Sequence, residues 1–305
     1  MSGDIAESIA LILAKNVSIA QIYGSDVQPE MINSNLCANF FKSPPAENPK
    51  YYQWLTKVLT ENSFKFFIPC SENELFALSN LSDSQMENIN SLTTIVWAGR
   101  SVIRRLASKS KTNNFLTSIS LDPPRLFSVD ENLVDFPLVV KPDIGRGSKN
   151  IFVCNNLAQV KAALLFVDNP IIQEYVPDLD NEYTCAVFRN LKSETVCIVF
   201  RRFLSGGVTS WAEIVNDIAI KNVCVRIASE LDLNGSINIQ LRKSMNRIAI
   251  FEINPRFSST VFMRSLVDFN DLLWSLGIGN PTKDYSEEKN FGVKFKIIKT
   301  ADMIK

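Results

Sequence analysis

Four polar side chains fall together in the stretch Arg247–Ser259, RIAIFEINPRFSS: Glu252, Asn254, Arg256 and Ser258. The apolar run Ile248-Ala-Ile-Phe251 before them is rich in β-formers and reads as a buried strand. Side chains alternate across a strand, so Glu252, Asn254 and Arg256 share a face if the chain stays extended. Pro255 favours that by biasing Asn254 away from the helical region. A carboxylate, an amide oxygen and a guanidinium on one face suit a hard cation and the phosphates it neutralises.

Other stretches carry compatible chemistry. Gly145-Arg-Gly147-Ser148-Lys149 is a glycine-rich turn between two expected strands. Its backbone amides could turn inward around phosphate oxygens. It lacks the GxxxxGK[ST] spacing, and the GxGxxG dinucleotide fingerprint is incomplete. Lys141 ends the apolar strand Leu138–Val140, where its ammonium must reach water or an anion. Gln173-Glu174-Tyr175-Val176 offers a carboxylate and backbone groups suited to adenine, and Glu182 a second carboxylate suited to ribose hydroxyls. If the strands on either side of residues 243–246 pair, Gln240 joins Glu252 and Asn254 in an oxygen-only site for Mg2+.

Composition narrows the choices. The 305 residues include 32 Lys plus Arg and 32 Asp plus Glu, so no basic field draws the chain to nucleic acid or a membrane surface. No apolar run approaches the ~18 residues of a spanning helix. The acidic N-terminus lacks a signal peptide's basic region. Cys37, Cys70, Cys154, Cys185, Cys197 and Cys224 show no CxxC spacing; most sit in apolar runs and read as buried, reduced thiols of a cytoplasmic protein. There is no histidine, which removes Ser-His-Asp and Cys-His triads and HExxH zinc sites. Carboxylates, Lys, Arg and backbone amides remain, with a hard cation.

The elements that position these groups alternate α and β at first. Helices are expected over Ser2–Asn16, Tyr51–Glu61, Glu74–Leu81 and Ser101–Phe115, with strands over Ser18–Tyr23, Phe64–Ile68 and residues 93–97. Gly24–Asp26 is expected as a turn and Asn35–Pro45 as a loop. This is a βαβ arrangement without its first strand. Polar strand ends in such sheets can bind ligands, which makes Glu72 and Glu74 candidates to line a substrate site, with helix-start capping as the plainer role. Further on, Tyr183–Phe188 and Thr195–Phe203 read as an antiparallel pair, Asp217–Leu231 as a helix, and Ser236–Arg242 as the strand before the opening motif. Alternation sends Arg201 and Arg202 to opposite faces, so at most one meets the site.

Read in order, Lys109, Lys141, GRGSK, QEYV, Glu182, Gln240 and EINPR resemble the ATP-grasp superfamily, in particular the ATP-binding halves of the carbamoyl-phosphate synthase large subunit and related stand-alone ligases. FFIPCSENEL and SKSKTNNFL, residues 108–116, resemble its first-domain and entry segments. The resemblance implies an α/β (α+β) ATP-grasp fold with an N-terminal Rossmann-like domain lacking its first strand. It implies lobes at 1–105, at 106–172 with the glycine-rich loop, and at 173–305 with the metal site. Lys109 and Lys141 would contact nucleotide phosphates, and Gly145, Gly147, Ser148 and Lys149 would form the mobile loop above them. Glu174 and Val176 would read adenine and Glu182 the ribose. Gln240, Glu252 and Asn254 would hold Mg2+ or Mn2+, and Arg256 would face the transferred phosphoryl group or the acceptor substrate. The implied activity is an ATP-dependent ligase joining a small carboxylate to an amine. A carbamoyl-phosphate-type phosphotransferase and a non-catalytic ATP-binding regulator are the alternatives, and a homodimer stays open. The chain departs from the pattern at PDLDN, before Glu182, and at Asp268, where relatives carry glycine. Only one ATP-grasp unit is present.

Overall fold

The computed structural model describes residues 3–28, 30, 34–128, 135–145, 150–177, 182–205, 208–244, 247–286 and 288–296. The first hundred residues carry two parallel strand pairs. Helix α1 (Asp4–Asn16) buries Ile9 and Ile12 against Phe257 and Val261 of the far end of the chain. Strand β1 (Tyr23–Asp26) pairs in parallel with β2 (Asn39–Lys42). Both expectations for this region are corrected: Ile19–Gln21 is a short 3-10 turn, and the strand begins where a turn was expected. Its partner lies inside the expected loop, because parallel pairing joins segments that local pattern cannot match. Helix α2 (Tyr51–Asn62) leads to β3 (Phe66–Phe67), which pairs with β4 (Thr94–Ile95). Between them lie α3 (Glu72–Asn80) and α4 (Asp83–Leu92). The latter went unread although Ser82 and Gln85 form a complete capping box, a signal present in the sequence.

Helices α5 (Arg100–Arg105) and α6 (Lys109–Ser118) lead into a four-stranded sheet. Its order is β5-β8-β6-β7, from β5 (Leu126–Phe127), β6 (Leu138–Pro142), β7 (Phe152–Cys154) and β8 (Pro170–Glu174). Helix α7 (Leu157–Leu164) closes a small core of Leu138, Val140, Val160 and Ile172. Strand β8 runs two residues past the expected boundary at 172.

The largest sheet has six strands, in the order β13-β12-β9-β10-β11-β14. They are β9 (Glu182–Arg189), β10 (Thr195–Ser205), β11 (Val208–Ile214), β12 (Gly235–Lys243), β13 (Ile248–Asn254) and β14 (Lys294–Lys296). The antiparallel pair β9–β10 matches its expectation, whereas β11 was not foreseen. One face carries Tyr183, Cys185, Val187, Val199, Ile239 and Ile253 under α8 (Ile218–Glu230). The other carries Ala186, Phe188, Ile198 and Phe200 at one end, packed by Trp274 of α10 (Asp271–Ser275) and by Met263 of α9 (Val261–Ser265). Toward the other end of that same face, β9 presents Thr184 and Glu182, so the polar site grows out of the apolar layer. Helix α11 (Pro281–Asp284) precedes β14.

Two backbone positions explain local residue choice. Gly235 opens β12 at φ +128°, and a Cβ there would lie 2.7 Å from the Trp97 carbonyl oxygen, so the first-domain chain docks directly on β12. Asp268 sits in the left-handed region at φ 65°, a conformation that aspartate tolerates in glycine's place. All six cysteines are free. Among the described residues no helix is long and apolar enough to cross a membrane.

Candidate functional site

Strands β12 and β13 pair as Asn238↔Asn254, Ile239↔Ile253 and Gln240↔Glu252, then shift register so that Leu241 meets Ile250. The shift leaves Phe251 as an extra residue. Ile250 and Ile253 both stay in the core under α8. Phe251 turns instead to the cleft, its ring 6.0 Å from Lys141 Nζ and 5.7 Å from the Arg242 guanidinium carbon. A bulge re-aims side chains in this way, and simple alternation in the sequence does not reveal it. Glu252 and Asn254 share the face opposite Ile253, as expected, with Gln240 and Asn238 beside them. Thr184 Oγ1 donates to Asn238 Oδ1 at 2.9 Å.

Arg256 departs from its expectation. The strand ends at Asn254, and the Arg256 N–H turns back to the Asn254 carbonyl at 2.8 Å. The side chain reaches the first domain instead, where Nε and Nη2 donate to Glu72 Oε1 at 3.2 and 2.6 Å. Glu72 is therefore not a mere helix cap. Ser71 caps α3, and its hydroxyl accepts from Glu74 N–H. Glu74 accepts from Tyr51 Oη at 2.5 Å and from Cys70 N–H at 3.2 Å. Burial raises its carboxyl above the usual range, partly offset by those hydrogen bonds.

Lys141 comes to the cleft from β6, and its side chain is buried. Burial, then the nearby charge of Lys109, pushes its ammonium down to about 8, while Glu252 works in the opposite direction. Lys109 Nζ donates to the Gly145 carbonyl at 3.2 Å. The N-terminus of α6 is tied to the same loop, with Ser110 N–H and Oγ donating to the two carboxylate oxygens of Asp143, each at 2.7 Å. Gly147, Ser148 and Lys149 lie outside the described residues.

The Lys141 value has a measurable consequence. The folded protein releases this proton near pH 8 and the unfolded chain near pH 10.4, so the unfolded state holds more protons in between. Stability contributed by this group therefore rises from pH 8 to about 10.4, and its burial cost is fully present below 8. An anion next to Lys141 holds the proton, so binding of a polyphosphate beside it should weaken by roughly tenfold between pH 7 and 9. Calorimetry across that range checks this, and Lys141→Arg should flatten the profile.

Glu174 and Glu182 are both engaged by arginines that the sequence reading did not connect to them. Arg247 donates Nη1 to Glu174 Oε1 and Nη2 to Oε2, the latter at 3.0 Å, and Arg125 N–H adds a bond of 3.0 Å. Burial opposes ionisation of Glu174, but the Arg247 guanidinium and the Arg125 N–H hold its carboxyl below the usual range. Glu182 is buried between two guanidinium groups. Arg202 Nε and Nη2 donate to Oε1 at 3.1 and 2.8 Å, and Arg242 Nε and Nη2 to Oε2 at 3.1 and 2.9 Å. Arg202 Nη2 also donates to Gln240 Oε1 at 2.8 Å, and Arg242 Nη1 to the Val176 carbonyl. Arg202 is thus the arginine that faces the cleft. Arg201 points away and pairs with Glu213 at 2.6 Å.

Sequence reasoning missed Arg264 altogether. It is completely buried, with Nε and Nη2 on the two oxygens of Asp271 at 2.9 and 2.6 Å. Its Nη1 donates to Ser258 Oγ at 2.9 Å and Thr260 Oγ1 at 3.1 Å, and Ser236 Oγ donates to Asp271 Oδ2 at 2.5 Å. This network clamps the loop after β13 onto the start of β12. No local signal marks it, because each member reads as an ordinary surface residue until the loop closes.

The donors in the cleft fit a hard cation only in part by themselves. Glu252 and Asn254 offer oxygen on one face. Among the described residues no three His, Cys, Asp or Glu side chains cluster as a metal site, so phosphates and water would have to complete six oxygens. Gln240 already accepts from a guanidinium.

This arrangement of sheets and cleft defines the class: the chain has the ATP-grasp fold and resembles the ATP-grasp superfamily. The family profile described as ATP-grasp in the biosynthetic pathway with Ter operon matches residues 167–300. The chain is 31% identical over 68 residues to D-alanine–D-alanine ligase of Fusobacterium nucleatum subsp. nucleatum, covering 22% of this chain and 24% of that protein. It is 25% identical over 191 residues to the carbamoyl phosphate synthase large chain of Helicobacter pylori, covering 52% of this chain and 17% of that one. The chain thus spans a quarter or less of the curated relatives it matches. Among solved structures, the biotin carboxylase domain dimer of Hydrogenobacter thermophilus 2-oxoglutarate carboxylase, in complex with MgADP, ADP and bicarbonate, superposes with a TM-score of 0.71 at 11% identity, covering 96% of this chain and 71% of that one. N5-carboxyaminoimidazole synthetase of Staphylococcus aureus, complexed with ADP, gives 0.69 at 13% identity, covering 92% and 77%. At such identities these structures speak to the fold.

Proposed function

We propose that this chain is an ATP-dependent ligase that activates a carboxylate as an acyl phosphate and joins it to an amine, with release of ADP and phosphate. One observation carries the reading: Glu252 and Asn254 share the cleft face of β13, with the buried ammonium of Lys141 arriving from the other sheet. An oxygen pair beside a buried cation is suited to a metal-bound polyphosphate. Glu252 and Asn254 would hold Mg2+ or Mn2+, with Gln240 beside them. The cation would neutralise the β- and γ-phosphates and the charge that develops in transfer.

The chain's own groups then position the reactants. Lys141 and Lys109 bind phosphate oxygens. Adenine contacts fall to the Glu174 carbonyl and Val176 N–H, because the Glu174 carboxylate is taken by Arg247 and Arg125. Arg256, held by Glu72 at the seam with the first domain, faces the acid being activated. Phosphoryl transfer of this kind depends on positioning and charge neutralisation rather than a proton relay, so it needs no histidine. The nucleophile attacks the acyl carbon, the C–O bond to phosphate breaks, and the amine proton leaves with phosphate or water.

Incubation with Mg-ATP and matched panels of small carboxylic acids and amines tests this, with ADP and phosphate measured together. The expected result is ADP release that requires both an acid and an amine, with equal amounts of phosphate. Release with the acid alone would instead favour a phosphotransferase. Absence of Mg-nucleotide binding in calorimetry would overturn the reading.

A further inference from the structure

Glu182 occupies the place where the family resemblance puts a ribose-reading carboxylate, and its geometry speaks for another role. An ionised carboxylate has about four lone-pair positions. In Glu182 all four are filled by guanidinium N–H groups, two on each oxygen, at 2.8–3.1 Å. The side chain is 6% exposed. Ribose hydroxyls could bind it only by displacing the buried Arg202 or the partly buried Arg242 from a two-point contact, one of the stronger hydrogen-bonded pairings a protein makes. Such a displacement would leave that arginine uncompensated.

The same contacts fix the two arginines with little freedom left. Arg202 commits Nε and Nη2 to Glu182 and Gln240, and Nη1 is the amino group these contacts do not use. Gln240 stands directly opposite Glu252 across the β12–β13 pair, so Arg202 lies beside the place the polyphosphate would occupy. Because arginine only donates, the Gln240 atom that faces it must be the amide oxygen, which fixes the orientation of that amide. The charge balance points the same way. Lys109, Lys141, Arg202 and Arg242 gather around three cleft carboxylates, Glu182, Glu252 and Asp143, which leaves one positive charge over for an anionic ligand.

We propose that Arg202 is a phosphate-binding residue of this cleft and that Glu182 is its positioning residue, not a reader of ribose. The inference rests on the ATP-site reading above. Glu182 holds the forks of Arg202 and Arg242 flat against the floor of the cleft, and Arg202 presents Nη1 to the terminal phosphates.

The test is calorimetric, with Mg2+ present, on the full chain. The probes are β,γ-imido-ATP, its 2′-deoxy and 3′-deoxy forms, and adenosine, titrated into the wild type, Glu182→Gln and Arg202→Lys. The wild type should bind the deoxy forms within about threefold of the parent compound. Arg202→Lys and Glu182→Gln should each lose tenfold or more in affinity for β,γ-imido-ATP and keep their affinity for adenosine. Two results would each overturn the proposal. One is a tenfold or larger penalty for a deoxy form that closes in Glu182→Gln, which would make Glu182 the ribose reader. The other is wild-type affinity in Arg202→Lys. Should Glu182→Gln fail to fold, the wild-type deoxynucleotide comparison and Arg202→Lys decide alone. Failure of the wild type to bind any nucleotide would overturn the ATP-site reading itself, a result distinct from both.

Discussion

Glu252→Gln is expected to cut ADP release by about two to three orders of magnitude, the scale on which losing one preorganised electrostatic group acts. The substitution keeps size and shape but removes the charge that would, under the proposed function, make β13 a cation site. It should also weaken binding of Mn2+ in the presence of ADP, read by electron paramagnetic resonance. Stability should change little, because the β12–β13 register is held by backbone pairing and by Ile239, Leu241, Ile250 and Ile253 beneath it. A second readout is independent of turnover. Glu252 is one of the groups that hold the Lys141 proton against burial. Without it, loss of nucleotide affinity with rising pH should begin at lower pH than in the wild type. Near-normal ADP release from Glu252→Gln would remove the metal-site assignment. An unchanged pH profile would show that Glu252 and Lys141 do not sense one another across the two sheets.

The largest effect on stability should come from Arg264. Its guanidinium is fully buried and is held by Asp271, Ser258 and Thr260. Arg264→Ala leaves the Asp271 carboxylate without its charge partner in a dry site, with Ser236 Oγ as its remaining donor in this network. Breaking one side of a buried pair typically costs about 3–5 kcal/mol. The denaturation midpoint in urea should therefore fall sharply. Replacing both partners, Arg264→Met with Asp271→Leu, should cost clearly less than the sum of the single changes, because no buried charge is then stranded. Additive losses in the double-mutant cycle would mean that the two side chains contribute separately, and the clamp on the loop after β13 would have to be sought elsewhere.

The local part of this architecture is written in the sequence. Alternation along IAIFEIN places Glu252 and Asn254 on one face, and the same rule separates Arg201 from Arg202. Both follow from the two-residue repeat of an extended backbone, which needs no partner to be true. The order of Lys141, Glu174, Glu182, Gln240 and EINPR was likewise enough to suggest the fold. Which partners those groups meet is another matter. The bulge that turns Phe251 into the cleft exists only because β12 pairs with β13 in one register. The tight turn at Asn254 sends Arg256 to Glu72, 184 residues away. Glu182 meets its arginines 20 and 60 residues along the chain, and Glu174 its own 73 residues along. The sequence by itself determined the chemical types in the cleft and the faces they share, because backbone geometry is local. Only the tertiary structure decided which carboxylates remain open to a ligand and which are already bound, because that depends on strand order and on the packing of one sheet against another.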